Sequence, residues 1–247
     1  MVSDLKNESE KAELKMNKEK TKYMSNVENS HSEDEFVVGG NELIVGGKEL
    51  EVVHEYTYLG SIMSFEDKTE KEVNGRRKKA WKNFWALKQV YKSDLETRSE
   101  IRIFETCTMP TLIYGVQTWA LTKSQAKKLQ TTQRIMERSI MGIKKSERIP
   151  STHIRKLTKT DDVTYVVRKM KARYAGHVAR QDNSRWSKKV TEWTPYDEKR
   201  GRGRPITRWR DELDRELGVL WPRATQNRKA WRKIEEAYAQ KWVFGGQ

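Results

Sequence analysis

The charges of this chain are divided along its length, and that division limits what it can build. Up to Gly75 there are 9 basic and 17 acidic residues, a net of minus 8, so the remainder holds 41 basic and 18 acidic, a net of +23. Like charges at that density have to face water or meet an opposite charge. With 35% of residues hydrophobic and 34% charged, a chain of 247 residues encloses only a modest core, which points to small helical modules. A positive field over the C-terminal two thirds favours nucleic acid or another anionic surface as partner.

Other classes are excluded by what is scarce. The one cysteine, Cys107, cannot form an internal disulfide, and the histidines His31, His54, His153 and His177 are too scattered for zinc-ligand spacing. No apolar run approaches the roughly 18 residues of a membrane span, and the start Met1-Val-Ser-Asp lacks the apolar stretch of a signal peptide. The chain is expected to be soluble and intracellular, with no membrane partner.

The N-terminal third reads as a polar helix and a small sheet. Ser3 to Met16 has helical composition, with Leu5, Ala12 and Met16 on one face. Lys20 to Ser25 reads as a short strand, and Val27 to Glu35 as an acidic loop. Val38-Gly-Gly-Asn-Glu-Leu43 recurs as Val45-Gly-Gly-Lys-Glu-Leu50, and Gly-Gly between alternating apolar residues signals a hairpin because both turn positions need positive φ. Tyr56 to Ile62 is a β-prone run containing Gly60, and the sheet is expected to end near Ser64.

Beyond Asp67 the period turns helical. Val73, Ala80, Phe84, Leu87 and Tyr91 share a face over Thr69 to Tyr91, while Arg76, Arg77, Lys78, Lys79, Lys82, Lys88 and Lys92 fall in an acid-free stretch. Thr97-Arg-Ser-Glu100 and Thr122-Lys-Ser-Gln125 both fit the capping box, and Pro110 should divide the first helix. Leu129, Met136, Ile140 and Ile143 stripe the second helix, with Gly142 at its end. Pro150-Ser-Thr opens a short helix, and Val163, Val167, Met170, Tyr174 and Val178 form the cleanest stripe in the chain. A Gly-rich break from Thr194 to Pro205 precedes helices over Thr207 to Leu217 and from Trp221-Pro222 to about Trp242.

Five strings in order then carry a resemblance. They are Leu14-Lys-Met-Asn17-Lys-Glu-Lys20-Thr-Lys22-Tyr-Met24, Tyr56-Thr-Tyr58-Leu-Gly-Ser61, Pro110-Thr-Leu-Ile-Tyr114-Gly-Val-Gln-Thr-Trp119, Gly176-His-Val-Ala-Arg180 and Gly203-Arg-Pro205-Ile-Thr-Arg-Trp209-Arg-Asp211. Together they resemble the C-terminal part of a LINE-type (non-LTR) retrotransposon reverse transcriptase of the RTE kind. In that family the palm's Phe/Tyr-Ala-Asp-Asp signature precedes the helix that begins this chain, and neither it nor the endonuclease domain occurs here. Two-metal phosphoryl transfer needs carboxylates held together around Mg²⁺. The single Asp-Asp pair, Asp161-Asp162, sits at a helix start and fits N-capping. The resemblance thus implies a chain that is not an enzyme on its own, with no metal or cofactor, Mg²⁺ belonging only to the complete polymerase.

The resemblance also assigns roles. Asn17, Lys20 and Lys22 match the palm segment after the catalytic turn, where a lysine stabilises the triphosphate or leaving pyrophosphate; an ordinary Lys-rich turn is the plainer reading for this fragment. Tyr58, Leu59 and Gly60 match the primer-grip hairpin, against the plainer reading of a packed aromatic strand with a turn glycine. Arg76, Arg77, Lys78, Lys79 and Lys82 match the thumb helix that contacts duplex phosphates, and the run also fits a nuclear import signal. Arg168, Lys169, Lys171, Arg173 and Arg180 extend the basic character over the Val163 helix.

Lys199-Arg200-Gly-Arg202-Gly-Arg204-Pro205 matches the centre of an AT-hook. Phosphate contact ranks first for it, a connector into the helix holding Arg208, Trp209 and Arg210 second, and A·T readout third. Of the nine tryptophans, Trp209, Trp221, Trp231 and Trp242 are expected to form a small C-terminal core, leaving Trp186 and Trp193 as candidates for stacking on bases. His177 has no evident catalytic partner and is expected to be packed or capping.

The expected architecture is α+β and predominantly helical. It comprises a palm remnant with a small antiparallel sheet over 1–64, a helical thumb-like region over 65–145, and a basic, Trp-rich helical region over 146–247. Partners are DNA, RNA or an RNA–DNA hybrid duplex, in the nucleus. The alternative is a co-opted fragment that serves as a protein-interaction or structural module.

Overall fold

The computed structural model describes residues 8–14, 17, 20–24, 43–45, 48–193 and 207–244, with the backbone alone at 43–45, 48–50 and 242–244. It is α+β and helix-rich, and it divides into two compact units, Met1–Lys68 and Thr69–Gln247.

In the first unit residues 8–11 are helical, and Glu13 turns the chain at φ +59°. Leu5, Met16, the acidic loop and the first Val-Gly-Gly repeat lie outside the described residues, apart from Leu43. Strand β2 (Leu43–Val45) pairs antiparallel with β3 (Lys48–Val52) from Val45↔Lys48 outward, as the hairpin reading expects, while Gly46 and Gly47 themselves lie outside the described residues. Strand β1 (Lys22–Tyr23) joins the other edge of β3 in parallel. The facing pair Lys22 and Glu51 forms a 2.7 Å ion pair there. Strands β4 (Glu55–Tyr58) and β5 (Ser61–Ser64) form a separate antiparallel hairpin, closed at Tyr58↔Ser61 by Leu59 (φ +49°) and Gly60 (φ +79°). Positive φ at both turn positions is the two-residue hairpin geometry that follows strand twist; at Leu59 it carries a strain of about 1–2 kcal/mol.

The second unit is helical. Helix α1 (Lys68–Ala86) buries Val73, Ala80 and Phe84, and stops short of Tyr91, which follows in a 3₁₀ turn and stacks on Phe84 at 4.9 Å. Helix α2 (Thr97–Ile103) does not use the expected capping box. Glu96 occupies the cap without a side-chain bond, because Glu100 is 7% exposed and packs inward, where burial raises its carboxyl above the usual range. The chain continues through a π-turn, Phe104–Thr108, into α3 (Met109–Leu112). Pro110 has no N–H to donate, and the wider turn just before it takes up the mismatch.

Helix α4 (Lys123–Ile140) starts as Thr122 predicts. Thr122 Oγ1 accepts from Gln125 N at 3.2 Å, and Gln125 Oε1 accepts from Thr122 N at 2.9 Å. It ends on Gly142, whose φ of +66° lets Ile143 N donate back to Arg138 O at 3.0 Å. Helix α5 (Ser151–Thr158) follows Pro150. Helix α6 (Val163–Ala179) is capped by Asp162, whose Oδ1 accepts from Thr164 N at 2.9 Å, as the Asp-Asp reading anticipated. Buried Gln133 of α4 assists, its Oε1 accepting from Val163 N at 2.7 Å. Then come α7 (Trp186–Glu192), α8 (Asp211–Leu217), α9 (Trp221–Ala224) and α10 (Arg228–Phe244).

Helix α6 carries two buried faces. Val163 and Val167 close the cluster formed by Val73, Phe84, Phe104, Leu112, Trp119, Leu129 and Met136. Ala172, Ala175 and Ala179 close a second cluster with Leu213, Trp221, Trp231 and Tyr238. Small residues let α10 come close: a Cβ on Gly176 would sit 2.2 Å from Trp231 Nε1, which donates to Ala172 O at 3.2 Å.

Candidate nucleic-acid interface

On α1, the helical step of about 100° per residue puts Lys78, Lys82 and Trp85 in one row with Lys79 beside it, roughly opposite Val73, Ala80 and Phe84. Lys78, Lys79 and Lys82 are exposed, and among the described residues no acid pairs with them. Trp85 is 52% exposed and stacks on Trp81 at 6.0 Å. The two arginines of the same run are placed differently. Arg76 is buried, pairs with Glu72 at 3.6 Å and lies 4.2 Å from the centre of the Tyr114 ring. Arg77 is half-buried and donates from Nε to Thr132 Oγ1 at 2.9 Å, tying α1 to α4. Their angular position, next to Val73 and Ala80, is the sequence signal that separates them from the lysines.

The basic residues of α6 are divided in the same way. Arg173 is exposed. Lys169 is half-buried and bridges Glu236 at 2.9 Å, with its Nζ donating to Tyr165 Oη at 2.8 Å. Arg168 and Lys171, both 3% exposed, depart from the phosphate-contact expectation. Arg168 donates to Tyr238 O at 3.0 Å and to Glu212 at 2.8 Å, and pairs with Glu216; Lys171 pairs with Glu212 at 2.7 Å. The second buried face of α6 draws them inside, where desolvation makes charge partners obligatory. Arg180 ends the helix, half-buried, donating from Nη1 to Thr225 O at 3.0 Å. His177 is exposed beside Gln181, so it is not packed.

Further on, Arg208 and Trp209 precede α8 instead of lying in it. Trp209 is held by a 2.7 Å bond from Nε1 to Gln117 O and an edge contact with Tyr174, and Asp211 reaches back to accept from Arg208 N at 2.7 Å. Arg208 is exposed, while Arg210 pairs with Asp214 at 3.0 Å against Trp221. Lys199, Arg200, Arg202 and Arg204 lie outside the described residues. Trp221 and Trp231 are buried as expected, Trp242 has no described side chain, and Trp186 and Trp193 are exposed.

In the N-terminal unit Asn17 and Lys20 are exposed, Asn17 Oδ1 accepting from Lys20 N at 3.1 Å, and Lys22 is engaged with Glu51. Tyr58 and Leu59 stand exposed at the hairpin tip beside Gly60.

Sequence reading missed a buried polar cluster at the junction of α4, α5 and α6. Asp162 receives Arg155 at 2.9 Å and Gln130 at 2.8 Å in addition to its capping bond. Glu137, 1% exposed nearby, is pushed up to about 7, chiefly by burial and against the pull of Arg155. A small recess lies between Trp119, Leu129, Val167 and the Arg168–Glu212–Lys171 group, but those charges are engaged with one another. Among the described residues no three His, Cys, Asp or Glu side chains converge as metal ligands would, and no helix is long and apolar enough to cross a membrane.

No family profile matches the chain, and no solved structure is similar to it. The chain is 30% identical over 196 residues to a transposon-derived protein of Caenorhabditis elegans, a likeness that takes in 74% of this chain and 70% of the relative. Because the likeness spans most of both chains, this chain belongs to that family of transposon-derived proteins.

Proposed function

We propose that this chain is a nucleic-acid-binding C-terminal portion of a LINE-type retrotransposon reverse transcriptase, without a catalytic centre of its own, which grips duplex phosphates through the lysine face of α1. The observation that carries the reading is that face: Lys78, Lys79 and Lys82 in water, with no described acid beside them, on a helix anchored from behind by Val73, Ala80 and Phe84. Kinship with a transposon-derived protein and the five ordered strings support the same source. Arg173 and Arg208 are exposed cations that add to the field; Arg76, Arg168 and Lys171 hold the fold instead. The partner is DNA, RNA or an RNA–DNA hybrid duplex, read without sequence preference, in the nucleus.

The test is binding of the full chain to RNA–DNA and DNA duplexes of two sequences at several salt concentrations. Each lost phosphate contact flattens the slope of log affinity against log salt by about 0.9, so Lys78→Gln, Lys79→Gln, Lys82→Gln should lower it by up to about 3 on every duplex. An unchanged slope refutes the phosphate grip and favours the protein-interaction alternative. Template-dependent primer extension by the chain refutes the non-catalytic reading.

A further inference from the structure

Trp186, which opens α7, and Trp193, which follows it, belong to neither core cluster of the described residues. Trp186 is 77% exposed, Val190 68% and Trp193 65%, and no residue of this helix is buried. The same unit buries Trp221 to 3% and Trp231 to 1%, so it does contain apolar environments that take an indole. At positions i, i+4 and i+7, Trp186, Val190 and Trp193 start from one side of the helix, with the Cα atoms of the two tryptophans about 10 Å apart along the axis. Lys189 holds its Nζ 5.2 Å from the centre of the Trp186 ring, a cation over a π-face. Lys188 donates to Gln181 O at 3.2 Å, and Ser187 bonds the Gln181 side chain, which anchors the helix to the end of α6. From Arg185 to Trp193 there are three cations and one acid, Glu192.

We infer that this face is a stacking platform for unpaired bases of single-stranded nucleic acid, a role that rests on the proposed function and is separate from the duplex grip of α1. Every base offers a π-face, so two exposed indoles recognise single strands without reading sequence. Arg185, Lys188 and Lys189 supply the charge complement to the strand's phosphates, which an apolar protein segment would leave unused. A duplex keeps its bases stacked inside and offers the platform nothing.

The experiment compares the full chain with Trp186→Ala, Trp193→Ala on labelled oligo-dT and on a matched duplex, across salt. Two stacked bases are lost together, so single-strand affinity should fall roughly thirty-fold or more with an unchanged salt slope. Duplex affinity should hold within about two-fold, since the lysines of α1 are untouched. The variant Trp186→Phe, Trp193→Phe should keep most single-strand affinity, and Trp186→Leu, Trp193→Leu should lose it. Far-UV circular dichroism and thermal unfolding should match the parent for all three, because the replaced rings are exposed.

Retention of single-strand binding by the Leu variant overturns the inference, as does equal loss on duplex. So does a loss of anionic-vesicle binding or of self-association in the Ala variant while oligo-dT affinity stays. If the parent chain binds no nucleic acid, this inference and the proposed function both fail. If it binds duplex through the α1 lysines and the Ala variant matches it on oligo-dT, only the stacking platform fails.

Discussion

Replacing Glu137 with Gln tests whether the second unit keeps a protonated carboxyl inside. Glu137 shares its surroundings with Arg134 and Gln133 on α4, Arg155 of α5 and Asp162. Asp162 already takes Arg155 at 2.9 Å, Gln130 at 2.8 Å and the Thr164 amide at 2.9 Å, so those donors are committed to it and not to Glu137. Burial leaves Glu137 protonated up to about 7, against an ordinary 4.5. Between those values the folded chain holds a proton that the unfolded chain has lost. Stability from this group is therefore complete below about 4.5 and declines as pH rises through about 7. At 1.36 kcal/mol per unit, the full shift amounts to about 3 kcal/mol. Glutamine keeps the shape and does not titrate. The stability of Glu137→Gln relative to the parent should thus improve by about 3 kcal/mol between pH 4.5 and 7.5 and stay level outside that window. Urea unfolding followed by tryptophan fluorescence measures it cleanly, since all nine tryptophans lie at position 81 or later, within Thr69–Gln247. A difference that stays flat to within about 0.5 kcal/mol across the window would falsify the buried-proton argument.

The same titration checks two further expectations. Gly176→Ala should destabilise by about 1–3 kcal/mol despite alanine's better helix propensity, because the new methyl group meets Trp231 at 2.2 Å; a more stable variant would show that α6 and α10 are not in close contact. Arg168→Ala should cost about 3–5 kcal/mol by leaving Glu212 and Glu216 short of a partner, whereas Arg173→Ala, at an exposed site, should stay within about 0.5 kcal/mol; equal effects would undo the division of α6 into structural and free cations.

Features set by neighbours in the chain were legible without coordinates. The Thr122 box, the Asp162 cap, the pairing of β2 with β3 and the stripe from Val163 to Val178 each depend on residues within a few positions of one another, so local spacing is sufficient information. The Thr97 box has the same spacing and fails, because Glu100 is drawn inward by a core that includes Ile101 and Phe104. The parallel arrival of β1 on β3 depends on a pairing some thirty residues away, which no alternation pattern encodes.

For the proposed interface, the sequence determined the supply of cations and their concentration after Gly75, and tertiary structure decided which of them meet solvent. Arg76 and Lys78 are two residues apart, yet one lies beneath Tyr114 and the other in water. Arg168 and Arg173 share a helix, but Ala172, Ala175 and Ala179 open a second buried face that reaches only the first. Alanine contributes too little hydrophobicity to mark such a face in a sequence, and it becomes buried only because Trp231 and Tyr238, some sixty residues on, need close approach. Burial of a charge is a property of what packs against it, and that partner is chosen by the fold.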